Sequence, residues 1–264
     1  MKQFSLFLLS ILSFSFCSAQ KLTDKFEYKV TYKLTYKLDS TALNESKSEY
    51  MILFTGDELS KFSSRAKTLA NPIVRKGNTA HTSRAAITEF HYLILKNRAE
   101  NKLYFTKTIV YDQFYYDQEM NLFEWEILPD KKKIKDFEVQ KAKTSFAGRD
   151  YIAWFTSEIP IPDGPYKFSG LPGLILELED TQQHYVFEFF GLEKLRPKLK
   201  YKINLSQYAE TNKTELYKVW KRYMENPAGY TKNPDIKTSE ENRKKLAKMF
   251  KARFAKKNNL IELE

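Results

Sequence analysis

Residues 26–38 alternate apolar and polar side chains without a break. Phe26, Tyr28, Val30, Tyr32, Leu34, Tyr36 and Leu38 take every second position, and Glu27, Lys29, Thr31, Lys33, Thr35 and Lys37 fill the others. Period two predicts a strand with one buried and one wet face. At ~3.3 Å per residue the run reaches about 43 Å, well beyond the usual strand of about 5–6 residues. A strand this long is expected to twist and curve around whatever covers it. Further strands are predicted at 49–54 and 58–63, flanking the turn Thr55-Gly56-Asp57. Others are predicted at 90–96 and 103–110 around 97–102, at 122–128 and 134–141 around 129–133, and at 151–156. Residues 174–179 face 185–190 across 180–184. Connections this short hold no parallel crossovers, so the sheet is expected to be mainly antiparallel.

The period changes near the C-terminus. Leu216, Val219, Trp220 and Tyr223 follow i, i+3, i+4, i+7 spacing. Thr238 and Glu241 read as a capping box before Leu246, Met249, Phe250 and Phe254. That second helix is strongly basic and is expected to dock its apolar stripe on the core; the competing reading lays it on an anionic membrane. Residues 226–237 read as a loop. The fold class is therefore mainly β (α+β), a large curved antiparallel sheet or half-barrel with C-terminal amphipathic helices. Residues 20–264 are expected to form one domain, with an antiparallel β core over 20–208 and a helical tail over 209–264.

The first residues change the chain that must fold. Met1-Lys2 is a short basic start, residues 4–16 are apolar apart from Ser, and Cys17-Ser18-Ala19 precede Gln20. This reads as a signal peptide, residues 1–19, cleaved after Ala19. Phe16 stands where a bacterial lipoprotein site wants a small residue, which argues against lipidation at Cys17. The chain is expected to be exported to the periplasm or to associate with the outer membrane. It would keep no cysteine, which excludes thiol nucleophiles, thiolate metal sites and disulfides.

The full chain of 264 residues carries a formal charge of +11, and aromatics make up 15% of it. So many rings exclude wholesale disorder. Export makes anionic lipid or an acidic outer-membrane protein the expected partner of the positive charge, with no nucleic acid. Between Leu59 and Thr88 there is no Asp or Glu; residues 65–87 read as a basic loop. Asp39-Ser40-Thr41 is similar to a bacterial O-glycan acceptor.

Catalytic signatures are absent. His81, His91 and His184 are scattered, with no metal-ligand spacing around them. There is no nucleophile elbow and no phosphate loop. The pairs Glu124/Glu126 and Glu177/Glu179 read as ordinary polar-face charges. The sequence thus predicts no catalytic residue, metal or cofactor, though a triad assembled in space follows no fixed order.

The most informative segment is 146–178. Pro162-Asp163-Gly164-Pro165 has tight-turn chemistry. Leu171-Pro172-Gly173-Leu174 places Pro and Gly at the centre of an expected type II turn, flanked by apolar residues that must find cover. The string Gly170-Leu171-Pro172-Gly173-Leu174-Ile175 resembles the motif that names the GLPGLI family of exported proteins from Bacteroidetes-type bacteria. Gly148-Arg149-Asp150-Tyr151, Ala153-Trp154, Glu158-Ile159-Pro160 and residues 163–168 resemble it too. The resemblance is dense over 134–190 and looser over 26–133. It implies export and a shared mainly-β fold, and brings neither an activity nor catalytic residues.

Three functions compete. The first is a non-enzymatic binding protein holding a lipid-like or peptide ligand in a groove of the sheet, at Tyr28, Tyr32, Tyr36, Trp154, Leu171, Pro172 and Leu174. A fully packed aromatic core explains the same rings. The second is an interaction module for an anionic membrane surface or an outer-membrane protein. The third is a hydrolase with a spatially assembled site.

Overall fold

The alternating run becomes β1 (Lys21–Tyr36), and it sits near the middle of a twelve-stranded sheet. The computed structural model describes residues 21–70, 88–110, 112–227 and 239–263. The expected signal peptide, His81, Thr238 and residues 71–87 of the expected basic loop lie outside the described residues, as does all but the start of the expected 226–237 loop.

On one side of β1 lie β2 (Lys47–Thr55), β3 (Leu59–Ser64), β4 (Tyr92–Asn97), β5 (Lys102–Ile109) and β6 (Asp112–Glu119) in succession. On the other lie β11 (Tyr185–Asn204), β10 (Leu174–Asp180), β9 (Arg149–Thr156), β8 (Phe137–Phe146) and β7 (Glu126–Ile134). These pairings are all antiparallel; only the two-residue β12 (Ala209–Glu210) joins β6 in parallel. The described sheet does not close on itself: β12 and β7 are its two edges.

The inner face is continuous. Val30, Tyr32, Leu34 and Tyr36 of β1 meet Met51 and Leu53, Phe62, Ile94, Phe105, Tyr151, Phe155, Phe187 and Phe189 in one cluster. The outer face is buried at one end only. Leu22 and Phe26, at the start of β1, join Ile52, Phe54, Leu93, Leu95 and Tyr104. Ile52 and Phe54 alternate with Met51 and Leu53, so this second cluster lies on the opposite face. The arm formed by the start of β1 and the end of β11 folds over that face, and Phe26 stacks on Phe54 at 5.7 Å and on Tyr201 at 4.8 Å.

Several expected elements shift. Residues 129–133 are not a turn: β7 runs through them, with an irregular register between Ile127 and Lys131, and the hairpin turns at Lys135-Asp136. An edge strand tolerates the missing N–H of Pro129. β6 and the long C-terminal half of β11 were not predicted. Residues 65–70, expected as loop, form the short helix α1 (Arg65–Ala70).

Helix α2 (Lys213–Glu225) starts at Asn212, whose side chain accepts the Glu215 N–H at 2.9 Å. It buries Leu216 and packs Val219, Trp220 and Tyr223 on the inner cluster. Helix α3 (Glu240–Ala255) is capped by Ser239, which accepts from Asn242 N. Its expected stripe docks only in part. Phe250 and Phe254 are half-buried, with Phe254 edge-on to Trp220 at 5.2 Å, whereas Leu246 and Met249 stay 39% and 56% exposed. No described helix is long and apolar enough to cross a membrane.

Candidate functional site

The 157–175 segment leaves β9, crosses the inner face of the sheet and returns as β10. Leu171 and Leu174 are 1% and 0% exposed, and Ile159, Tyr166, Phe168 and Ile175 are buried with them. The space beside the 170–175 turn is therefore filled by the chain itself. The turn also departs from type II. Gly173 N donates to Leu171 O at 2.8 Å, a three-residue turn centred on Pro172, whose fixed φ suits that geometry. Gly173 has φ +148°, and a Cβ there would stand 2.0 Å from Thr156 O.

Charged groups buried under the segment hold it down. Lys96 of β4, 1% exposed, gives its ammonium hydrogens to Asp163 Oδ1 at 2.5 Å, Gly164 O at 2.9 Å and Phe168 O at 2.8 Å. All three donors are used. Burial lowers the Lys96 pKa, against the pull of Asp163. Lys167, equally buried, reaches Glu262 at 2.6 Å and Tyr116 Oη at 3.0 Å. Trp125 Nε1 donates to Ser169 O at 2.9 Å.

The C-terminal residues form a strap along one rim. Arg149 donates to Asp180 Oδ2 at 3.0 Å, Asn259 Oδ1 at 2.5 Å and Leu260 O at 2.7 Å. Tyr185 Oη and Tyr151 Oη donate to Asn259 O and Ile261 O. Sequence reasoning missed Lys96, Arg149 and this strap, since no local pattern marks a buried cation.

The proposed site residues separate. Tyr32 is fully buried and its hydroxyl donates to Ile175 O at 2.8 Å. Tyr36 is buried and donates to Glu49 at 3.0 Å. Tyr28 is half-buried under Lys194, whose ammonium stands 5.4 Å from the ring centroid. Pro172 is exposed beside the buried Leu171 and Leu174.

Trp154 alternates with the buried Ala153 and Phe155 and points to the outer face. There it lines a recess of about 300 Å³ with Lys132, Glu177, Glu179, Gln183 and Glu188. Glu177 and Glu188 are direct cross-strand partners. Two carboxylates so placed repel unless a cation intervenes. Lys132 reaches across from β7 to Glu177 at 2.5 Å, with its ammonium 4.4 Å from the Trp154 ring centroid. Lys33 meets Glu188 at 3.6 Å.

Catalytic geometry does not assemble around the described histidines. His184 Nδ1 lies 3.1 Å from Arg149 and 3.9 Å from Asp180, and His91 is exposed. Among the described residues, no group of three or more His, Cys, Asp or Glu is placed to hold a metal ion.

Comparison with known proteins gives three findings. A family model described as "Protein of unknown function (Porph_ging)" matches residues 117–177, from the end of β6 through the inserted segment into β10. No curated protein matches the chain. Two solved structures share the fold, described as "Structure of PNGF-II in C2 space group" and "Structure of PNGF-II in P21 space group". Each is 15% identical and covers 75% of this chain, with TM-scores of 0.53 and 0.54. The chain spans only about a third of the length of either, 33% and 34%, so the likeness is one of fold.

Proposed function

We propose that this is a non-enzymatic binding protein of the cell envelope whose ligand is a peptide segment carrying a lysine or arginine, taken on the outer face at Trp154. The observation that carries the reading is the recess itself. An indole face stands beside three carboxylates on a chain of net charge +11, and two resident ammoniums already stand over the ring, Lys132 at 4.4 Å and Lys141 at 5.8 Å. An aromatic face flanked by carboxylates suits a desolvated cation. The inner tyrosines serve the fold instead, because the 157–175 segment covers them.

Titration calorimetry with a short synthetic lysine-containing peptide tests this. Trp154→Ala is expected to weaken binding about 5- to 30-fold, in line with ~1–2 kcal/mol for a cation on an indole. Lys132→Ala is expected to strengthen it, because the nearer of the two resident ammoniums is gone. Equal binding by Trp154→Ala, or by the same peptide with acetylated lysines, refutes the reading.

The same proposal takes the chain as an exported member of the GLPGLI family, cleaved after Ala19. Protein recovered from the native envelope should then begin at Gln20. A second reading, attachment to an anionic membrane, is favoured by Leu246 and Met249, which stay exposed among Lys245, Lys248 and Arg253. Cosedimentation with anionic but not neutral vesicles, lost in Met249→Glu, tests it.

A further inference from the structure

Lys107 differs from the surface lysines of this basic chain. It lies on the inner face of β5, on the same side as buried Phe105 and Ile109, and faces Tyr92 in the β4–β5 register. Its ammonium stands 4.6 Å from the ring centroid of Trp220 on α2. Among the described residues it meets no carboxylate and no hydrogen-bond acceptor. Lys67 of α1 is close by. It donates to His91 O at 3.0 Å and likewise pairs with no described carboxylate. Glu89, the acid that faces this cluster, is already engaged by Lys257 and by Arg253 at 3.7 Å.

Among the described residues, two ammonium groups are thus left without counter-charge between the sheet and the helices. Burial pushes the pKa of Lys107 down to about 8, helped by Lys67 and Lys257, and burial with repulsion from Lys61 does the same to Lys67. Half-buried cations held this way weaken the fold. A ligand that supplies the missing charge reverses that cost.

We propose that Lys67, Lys107 and Trp220 form a binding site for a phosphate-class dianion, with the His91 imidazole at its rim. Two uncompensated charges match a dianion better than a carboxylate. Ammonium groups act as compact point charges toward a tetrahedral oxyanion. Trp220 closes the site with an apolar wall. Burial and repulsion from Lys107, Lys67 and Lys257 keep the pKa of His91 low, so at neutral pH it is a neutral donor or acceptor. A free phosphate and the terminal monoester of a lipid headgroup offer the site the same chemistry.

The test uses the full chain at constant ionic strength. Inorganic phosphate is titrated calorimetrically against wild type, Lys107→Met, Lys67→Met and the outer-face control Lys143→Met. In parallel, cosedimentation is measured with phosphatidylcholine vesicles with and without phosphatidic acid. Saturable phosphate binding is expected, reduced at least about tenfold by either Lys107→Met or Lys67→Met and unchanged by Lys143→Met. Without phosphate, Lys107→Met is expected to melt at a higher temperature than wild type, which separates loss of a ligand group from loss of fold. Lys107-dependent capture by phosphatidic acid vesicles without binding of free phosphate assigns the headgroup as the source and still supports the site. Absence of binding in both arms, or phosphate binding that Lys107→Met leaves intact, overturns it.

Discussion

Lys96 and Asp163 meet at 2.5 Å in the interior, each 1% exposed, although they are 67 residues apart in sequence. The pair joins the middle of the sheet to the segment that fills its inner face. It also explains why a lysine is tolerated in a strand whose other residues, apart from the terminal Asn97, are Tyr, Leu and Ile. Every hydrogen of its ammonium has an acceptor on that segment.

Removing one partner should therefore be costly. Lys96→Met leaves Asp163 with Arg98, at 3.5 Å, as its one cation beside the Gly164 N–H at 2.7 Å, and orphans two carbonyls. The expected loss is about 3–5 kcal/mol. Urea denaturation measures it; a loss below about 1 kcal/mol would show that the segment is held by its apolar contacts alone.

The two motif glycines should respond unequally. At Gly173 a Cβ meets backbone at 2.0 Å, so Gly173→Ala is expected to prevent native packing of the turn. At Gly170, with φ +96°, the nearest atoms are those of Trp125 at 3.9 Å, so only backbone strain opposes a side chain. Gly170→Ala should cost about 1–3 kcal/mol and keep the fold. Near-UV circular dichroism distinguishes the two outcomes.

Asn259 is the clasp of the C-terminal strap. Its side chain accepts from Arg149 and donates to Lys37 O at 2.7 Å, while its backbone bonds Leu38 and Tyr185. Asn259→Ala leaves a buried guanidinium short of one acceptor and should cost about 2–3 kcal/mol. Limited proteolysis should then cut near the C-terminus first. Wild-type resistance in the variant would show the strap to be redundant.

Alkaline pH should stabilise the protein before it destabilises it. Lys67 and Lys107 have folded pKa values near 8, against an ordinary 10.5. Between those values the unfolded chain binds more protons, so stability rises with pH. The expected gain is about 1–2 kcal/mol per lysine after allowance for solvent screening. Lys61, Lys257, Arg253, Glu89 and His91 face the same cluster and shape the curve. Above about pH 10, Tyr151 and Tyr185, whose pKa values burial raises, reverse the trend as the unfolded chain ionises first. Thermal melts of wild type and the Lys67→Met/Lys107→Met double variant check it; parallel curves between pH 8 and 10 would contradict the assignment.

The parts of the fold legible in the sequence were those fixed by local pattern. Strict alternation over 26–36 announced β1, and Gly56 announced the β2–β3 hairpin. The apolar flanks of Pro172-Gly173 announced a turn that needed cover. What escaped depends on contacts far apart in the chain. Lys96 reads as a wet strand position until Asp163 arrives beneath it. The second half of β11 is mostly polar and contains Pro197, so its pairing with residues 21–26 leaves little local trace. Pro129 suggested a break, yet β7 is an edge strand and carries it. For the candidate site, Trp154 was singled out, but its carboxylate neighbours Glu177 and Glu188 come together only through the β9–β10–β11 register.

The 170–175 turn lies inside a filled sheet, and two adjacent residues test this most directly. Leu171 is 1% exposed while Pro172 faces solvent. In a Cys17→Ser background, which removes the chain's one cysteine, Leu171→Cys and Pro172→Cys are each labelled with a thiol reagent under native conditions. Pro172→Cys is expected to react at nearly the rate of a free thiol and Leu171→Cys to stay protected until urea unfolds the protein. Equal, fast labelling at both positions would mean that the inner face is open, and would contradict the account.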